Sequence, residues 1–173
     1  MTTVIVGSRP PEVEALIERR RRSGIDRLDE MWEGVLHMVP APSGEHARIA
    51  QQLAELLGPL ARQAGLVPAL SEFNLGEDER DYRVPDGALH RIEPRGIWHP
   101  TAALVVEIVS PGDESWLKLP FYAAHRVDEV LIVDPTERTV DWLSLQEGDY
   151  HPMERSGLID LGPKELAARI EWP

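Results

Sequence analysis

The chain contains no cysteine among its 173 residues. Disulfides, thiolate zinc sites, iron–sulfur clusters and cysteine nucleophiles are excluded, so any metal must sit on oxygen or imidazole. Basic charge is scarce: 18 Lys and Arg stand against 30 Asp and Glu, for a formal charge of −12, and only two of the 18 are lysines. That balance argues against a simple basic-patch nucleic-acid binder, because Lys and Arg normally supply the phosphate neutralisation. No apolar run approaches the roughly 20 residues that span a bilayer, and the first residues lack the basic start and apolar core of a secretory signal. A protein without a membrane span, resident in the cytoplasm, is the expectation. Gly-rich phosphate loops, Gly-x-Ser-x-Gly elbows and His-Glu-x-x-His zinc motifs are missing too.

What is present suits one domain over residues 1–173, since a core of this size buries most of its apolar surface without staples. Residues 1–27 form a basic segment, with Arg9, Arg19, Arg20, Arg21, Arg22 and Arg27 against four acids; the remainder carries −14. Pro10 and Pro11 lead a short helix with acids near its positive end and arginines near its negative end, broken by Gly24. The arginines read as a dipole-matched helix end or as a phosphate contact.

Residues 29–39 suggest a hairpin around Glu33-Gly34. Ser43 caps a helix whose apolar positions Ile49, Leu53, Leu56, Leu57 and Leu60 follow a helical period, with Gly58-Pro59 expected to kink it or end it early. Short β-like runs follow at 66–75, 82–90, 102–109, 127–133 and 140–145. The acidic stretch 76–81 reads as an exposed loop, and Pro163–Ile170 as a short helix. One helix leading into many short strands reads as an α+β or mixed α/β fold.

The segment 102–109 carries most of the chemistry. It reads as a strand buried on both faces with a carboxylate, Glu107, in its middle, and a buried carboxylate needs a cation, a metal or a proton. An arginine such as Arg83 would serve as well as a metal. Twenty-one residues earlier, Pro85-Asp86-Gly87 is by itself a turn signal. Antiparallel pairing of 82–90 with 102–109 would nevertheless set Asp86 beside Glu107, where the two repel unless a divalent cation lies between them. Mg²⁺ suits one or two carboxylates completed by waters and phosphate oxygens. Eleven residues after Glu107 lies Lys118, either a surface lysine paired with Glu114 four residues back or an ammonium that orients an attacking water.

These residues resemble the PD-(D/E)xK nuclease superfamily, and within it the Uma-type family of putative restriction endonucleases. The resemblance rests on Val84-Pro85-Asp86, on Leu104 to Pro111 around Glu107, on Lys118 with Tyr122, and on Val127 to Pro135. It implies a restriction-endonuclease-like core, a central mixed sheet flanked by helices, with Mg²⁺ (or Mn²⁺ in its place) on Asp86 and Glu107 and the Ile108 carbonyl as a further ligand. It also implies that the catalytic lysine is displaced to Lys118, that DNA is the substrate, and that the protein is often a homodimer. Two departures stand out: Pro120 sits where the family continues a helix, which could leave Lys118 on a loop, and His125-Arg126-Val127-Asp128 replaces the usual turn. His46, beside Glu45, is a candidate to face the site from the first long helix. His90 and His99 read as exposed loop histidines, and Trp98, Trp116, Phe121 and Tyr122 as core or dimer-contact residues. Two other functions remain open, a non-catalytic dimeric binding or assembly protein on the same fold and a metal-dependent hydrolase of a small phosphate compound.

Overall fold

The computed structural model describes residues 3–5, 10–110, 112 and 114–173; Arg9 and Pro111, named above, lie outside them. The first strand, β1 (Thr3–Ile5), is followed by helix α1 (Pro11–Ser23). Acids occupy the first turn of α1 and Arg20, Arg21 and Arg22 the last, and Gly24 closes it at φ 71°, a left-handed conformation that glycine adopts without strain. Arg20 is consumed structurally, pairing with Asp29 and donating to the carbonyls of Ile25 and Val39.

The expected hairpin forms from β2 (Glu30–Trp32) and β3 (Val35–Met38), with Glu33 and Gly34 both at positive φ, the twist a two-residue hairpin turn requires. Helix α2 (Gly44–Gln63) begins where the Ser43 side chain accepts the His46 N–H at 3.2 Å. It continues through Gly58-Pro59 to Gln63, against expectation. Proline in a helix interior costs about 3 kcal/mol, but the seam of Ile49, Leu53, Leu57 and Ala61 buries on both sides of it and holds the last turn in place.

The remaining elements are β4 (Val67–Ala69), β5 (Asn74–Asp78), β6 (Asp81–Arg83), β7 (Gly87–His90), β8 (Trp98–His99) and β9 (Leu104–Ile108), then a 3-10 turn (Ser115–Lys118) running into α3 (Leu119–Ala124). The chain ends with β10 (Glu129–Asp134), β11 (Thr139–Gln146), β12 (Asp149–Pro152) and α4 (Pro163–Arg169). Among the described residues the strands make two mixed six-stranded sheets, ordered β1-β3-β2-β6-β5-β8 and β12-β11-β10-β9-β7-β4. The second is the central sheet, parallel at β9–β10 and antiparallel elsewhere.

Two expected runs divide between the sheets. Residues 66–75 split into β4 and β5, and residues 82–90 split at Val84-Pro85-Asp86, with β6 in one sheet and β7 in the other. Proline has no N–H for a ladder, so the chain changes sheets there. The acidic stretch 76–81 is a hairpin of β5 and β6 rather than a loop; the Asp78 side chain accepts the Arg80 N–H at 2.8 Å and tightens its turn.

Side chains alternate across β9. Leu104, Val106 and Ile108 face the core built by α2 and α4, while Val105 packs with Phe121 and Tyr122 of α3. Glu107 follows the parity of Val105 and therefore points to the α3 side. The central sheet is thus flanked by helices on both faces.

Candidate active site

Strands β7 and β9 pair antiparallel with Gly87 opposite Val106, and the Asp86 N–H donates to the Val106 carbonyl at 3.0 Å. Beyond that bond β7 has left the sheet. The Asp86 carboxylate takes over, its Oδ2 accepting the Ile108 N–H at 2.7 Å and its Oδ1 lying 2.9 Å from His46 Nε2. His46 in turn places Nδ1 3.2 Å from Ser110 Oγ.

Glu107 is buried, at 3% exposure, and its oxygens are densely engaged. Lys118 Nζ lies 3.1 Å from each of them, Tyr122 donates its hydroxyl to Oε1, and Ser115 Oγ lies 3.4 Å from Oε2. Lys118 also meets Glu30, whose Oε1 is 2.8 Å away. Glu30 itself is 2% exposed and accepts the Val84 N–H and the Trp32 indole N–H.

Burial pushes Glu107 up to about 8 from an ordinary 4.5, and the charges of Asp86 and Glu30 add to that rise against the pull of Lys118. For Lys118 burial works downward, but the combined attraction of Glu107 and Glu30 holds its ammonium above the usual lysine value. His46 is likewise pulled down by burial and raised on balance by its hydrogen bond to Asp86 and by the Asp86 charge. The result is a cavity of about 300 Å³ lined by Glu30, His46, Glu72, Asp86, Glu107 and Lys118 among others. A larger hollow of about 1170 Å³ shares none of these residues; its Asp78 and Asp128 are paired with Arg80 and Arg91.

The family model described as Uma2, putative restriction endonuclease, matches residues 17–168. The chain belongs to the Uma2 family. Its fold is similar to that of a crystal structure described as a putative nuclease belonging to DUF820 from Anabaena variabilis, at 18% identity and a TM-score of 0.65, over 82% of this chain and 90% of that one. No curated protein matches the sequence.

In this Uma2 chain Asp86, Glu107, Ile108 and Lys118 fall together, and His46 joins them from the first turn of α2. Glu45 does not; it is exposed on α2. Lys118 is neither a surface residue nor on an irregular loop: it ends the 3-10 turn directly before α3, and Glu114 bonds His37 Nδ1 instead, at 3.0 Å. Arg83 is not the partner of Glu107. It is buried against the Trp32 and Phe121 rings and paired with Asp81, so it is not free to meet a phosphate either.

His90 is buried and His99 half-buried, both packed edge-on against Phe73, rather than exposed in a loop. Trp98 packs against Tyr82, Phe121 and Tyr122 are core, and Trp116 is exposed. Glu30 is the site residue that the linear sequence conceals. Its partner lies far away in sequence, so no local signal marks it.

The donor set suits a hard divalent cation in charge and chemistry, with four carboxylates around the cavity against one ammonium. Among the described residues no group of three or more His, Asp or Glu is placed to hold a metal ion. An ion such as Mg²⁺ needs fewer protein ligands, one or two carboxylates, and completes its shell with other oxygens. With both Glu107 oxygens already accepting hydrogen bonds, a cation there competes with Lys118.

Proposed function

We propose that this Uma2 member is a Mg²⁺-dependent endonuclease that hydrolyses DNA phosphodiester bonds. The observation that carries the reading is the convergence of Asp86, Glu107 and Lys118 on one cavity from three separate parts of the chain. Asp86 and Glu107, with the Ile108 carbonyl, would hold the ion, and Mn²⁺ would substitute. Bound Mg²⁺ supplies Lewis acidity, lowering the pKa of a water and offsetting charge on the scissile phosphate. Lys118 orients the attacking water and adds positive charge where it develops. His46 and the Ile108 N–H fix the two oxygens of Asp86.

An acidic protein engages DNA weakly, so cleavage is expected to be strongly salt-sensitive. The reading includes a cytoplasmic homodimer: Trp116 and Leu117, beside Lys118, and the loop residues Ile92 and Ile97 are exposed apolar surface that a second copy would cover. Among the described residues no helix is long and apolar enough to cross a membrane.

The test is plasmid cleavage by purified protein with Mg²⁺ or Mn²⁺. Activity is expected in the wild type and should vanish in Asp86→Ala and Glu107→Ala; undiminished cleavage by either variant overturns the mechanism. A second reading, a non-catalytic binding or assembly protein, draws support from Glu107, both of whose oxygens accept from the protein's own Lys118, Tyr122 and Ser115. Calorimetric titration separates the two, because absence of Mg²⁺ binding at millimolar concentration would favour the second.

A further inference from the structure

We infer that the β2–β3 hairpin is the element that positions Lys118, with Glu30 as the dedicated counter-ion of its ammonium. The inference rests on the nuclease reading for the use of Lys118, and on geometry alone for its placement. A lysine ammonium rides on a flexible four-carbon stem, and the 3-10 turn that carries it is a short element with poorer hydrogen-bond geometry than an α-helix. The turn by itself therefore fixes neither Nζ nor its direction. Something outside the turn must do so.

The hairpin grips the segment 114–121 at three points. At the first, Glu30 Oε1 lies 2.8 Å from Lys118 Nζ, closer than either Glu107 oxygen at 3.1 Å. Glu107 is shared with Tyr122 and Ser115, whereas the other partners of Glu30 are the N–H groups of Val84 and Trp32, at 2.8 and 2.7 Å. Those two bonds lock the carboxylate in one orientation, and burying it at all is costly unless it serves a cation.

At the second point, His37 Nδ1 meets Glu114 Oε2 at 3.0 Å, where the turn begins. At the third, the Arg83 guanidinium lies 4.3 Å from the Trp32 ring and 4.0 Å from that of Phe121, joining β2 to α3. Trp32 stacks on His37 with ring centroids 4.2 Å apart, so the three contacts share one rigid face. Glu30 also reaches the backbone two residues before Asp86, through Val84, and so couples the lysine to the acid across the cavity. When Glu107 is engaged elsewhere, Glu30 keeps the Lys118 side chain in place. Glu30 is a positioning residue and need not touch substrate.

The lysine content makes this testable without metal or DNA. The chain has two lysines, Lys118 and Lys164, and the Lys164 side chain is 88% exposed. Reductive methylation of the folded full-length protein, mapped by peptide mass spectrometry, is expected to modify Lys164 readily and Lys118 about tenfold more slowly or less. Glu30→Gln should speed modification of Lys118 by about tenfold, leave Lys164 unchanged, and lower kcat with little change in KM for DNA. Trp32→Phe and His37→Gln, which keep the carboxylate but release its orientation or the turn, should give smaller rises and stand in if Glu30→Gln fails to fold. Lys118 as protected in these variants as in the wild type overturns the inference, whatever the activity. A wild type that protects Lys118 yet cleaves nothing overturns the nuclease reading and leaves the positioning geometry intact.

Discussion

Asp86 is held at both of its oxygens, by His46 Nε2 at 2.9 Å and by the Ile108 N–H at 2.7 Å. The second bond exists because β7 stops pairing at Asp86, which leaves the next N–H of β9 to the side chain. The first exists because Ser43 caps α2 and brings residue 46 to the mouth of the cavity. The carboxylate is thereby fixed in one orientation, and its charge and hydrogen bond raise the pKa of the histidine beside it.

His46 therefore sets a pH dependence of stability. Its folded pKa is raised above 6.5 because the hydrogen bond to Asp86 and the Asp86 charge together outweigh burial. A raised histidine contributes stability that is fully present below the unfolded value and is lost as pH rises through the folded one. His46→Ala should accordingly lower Tm more at pH 5.5 than at pH 8.5, in EDTA to exclude metal. An equal loss at both pH values would show that Asp86 does not stabilise the imidazolium.

Glu107 acts over a wider window. It moves from 4.5 to about 8, chiefly through burial. Between those values the folded state binds the proton and the unfolded chain does not, so stability falls as pH rises, by at most about 1.4 kcal/mol per pH unit from this group. Glu107→Gln is neutral at every pH and should flatten that portion of the profile. Wild type and variant traced in EDTA are expected to diverge between pH 5 and 8, and parallel profiles would contradict the assignment.

Much of this arrangement was legible in the residues. Helical spacing and Ser43 located α2, and β-prone residues on either side of Glu33-Gly34 located the hairpin. A carboxylate inside an otherwise apolar strand marked Glu107, and antiparallel pairing then brought Asp86 to it. The first sheet was harder to see, because β5, β6 and β8 are short and the β2–β6 and β5–β8 pairings join segments far apart in the chain. Of the two readings of Lys118, the surface pair with Glu114 fails for a physical reason: the i,i+4 rule behind it holds in an α-helix, and a 3-10 turn with three residues per turn does not obey it. Glu30 lies 88 residues from Lys118, and no local pattern joins them.

A control for stability without chemistry lies at Glu129. This buried residue at the start of β10 accepts from Trp142 Nε1 at 2.8 Å, Ser156 Oγ at 2.6 Å and the Gly157 N–H at 2.7 Å, pinning the segment before α4 to the central sheet. Glu129→Ala would leave two buried donors, Trp142 Nε1 and Ser156 Oγ, unsatisfied and should cost about 3 kcal/mol, measured by urea denaturation. Mg²⁺ affinity should not change. A variant as stable as wild type would mean that water replaces the carboxylate at no cost.

Lys118→Met separates ion binding from catalysis. Methionine fills much of the lysine stem but leaves Glu30, Asp86 and Glu107 facing one cavity with their main cation gone. Breaking a buried ion pair from one side costs about 3–5 kcal/mol, so the variant should unfold at a lower temperature in EDTA. Removing a positive charge a few ångströms from the ion should also tighten Mg²⁺ binding, on the order of tenfold or more at an effective dielectric near 20. A ligand that binds only the folded state raises its stability with concentration, so millimolar Mg²⁺ should restore more of the Tm in Lys118→Met than it adds to wild type. Cleavage should fall by about 100-fold or more, the scale of a lost proton-handling or charge-stabilising group. Tighter binding with lost cleavage supports two carboxylates for the ion and a lysine for the water, whereas weaker Mg²⁺ binding in the variant would mean that Lys118 holds the cavity open rather than competing for it.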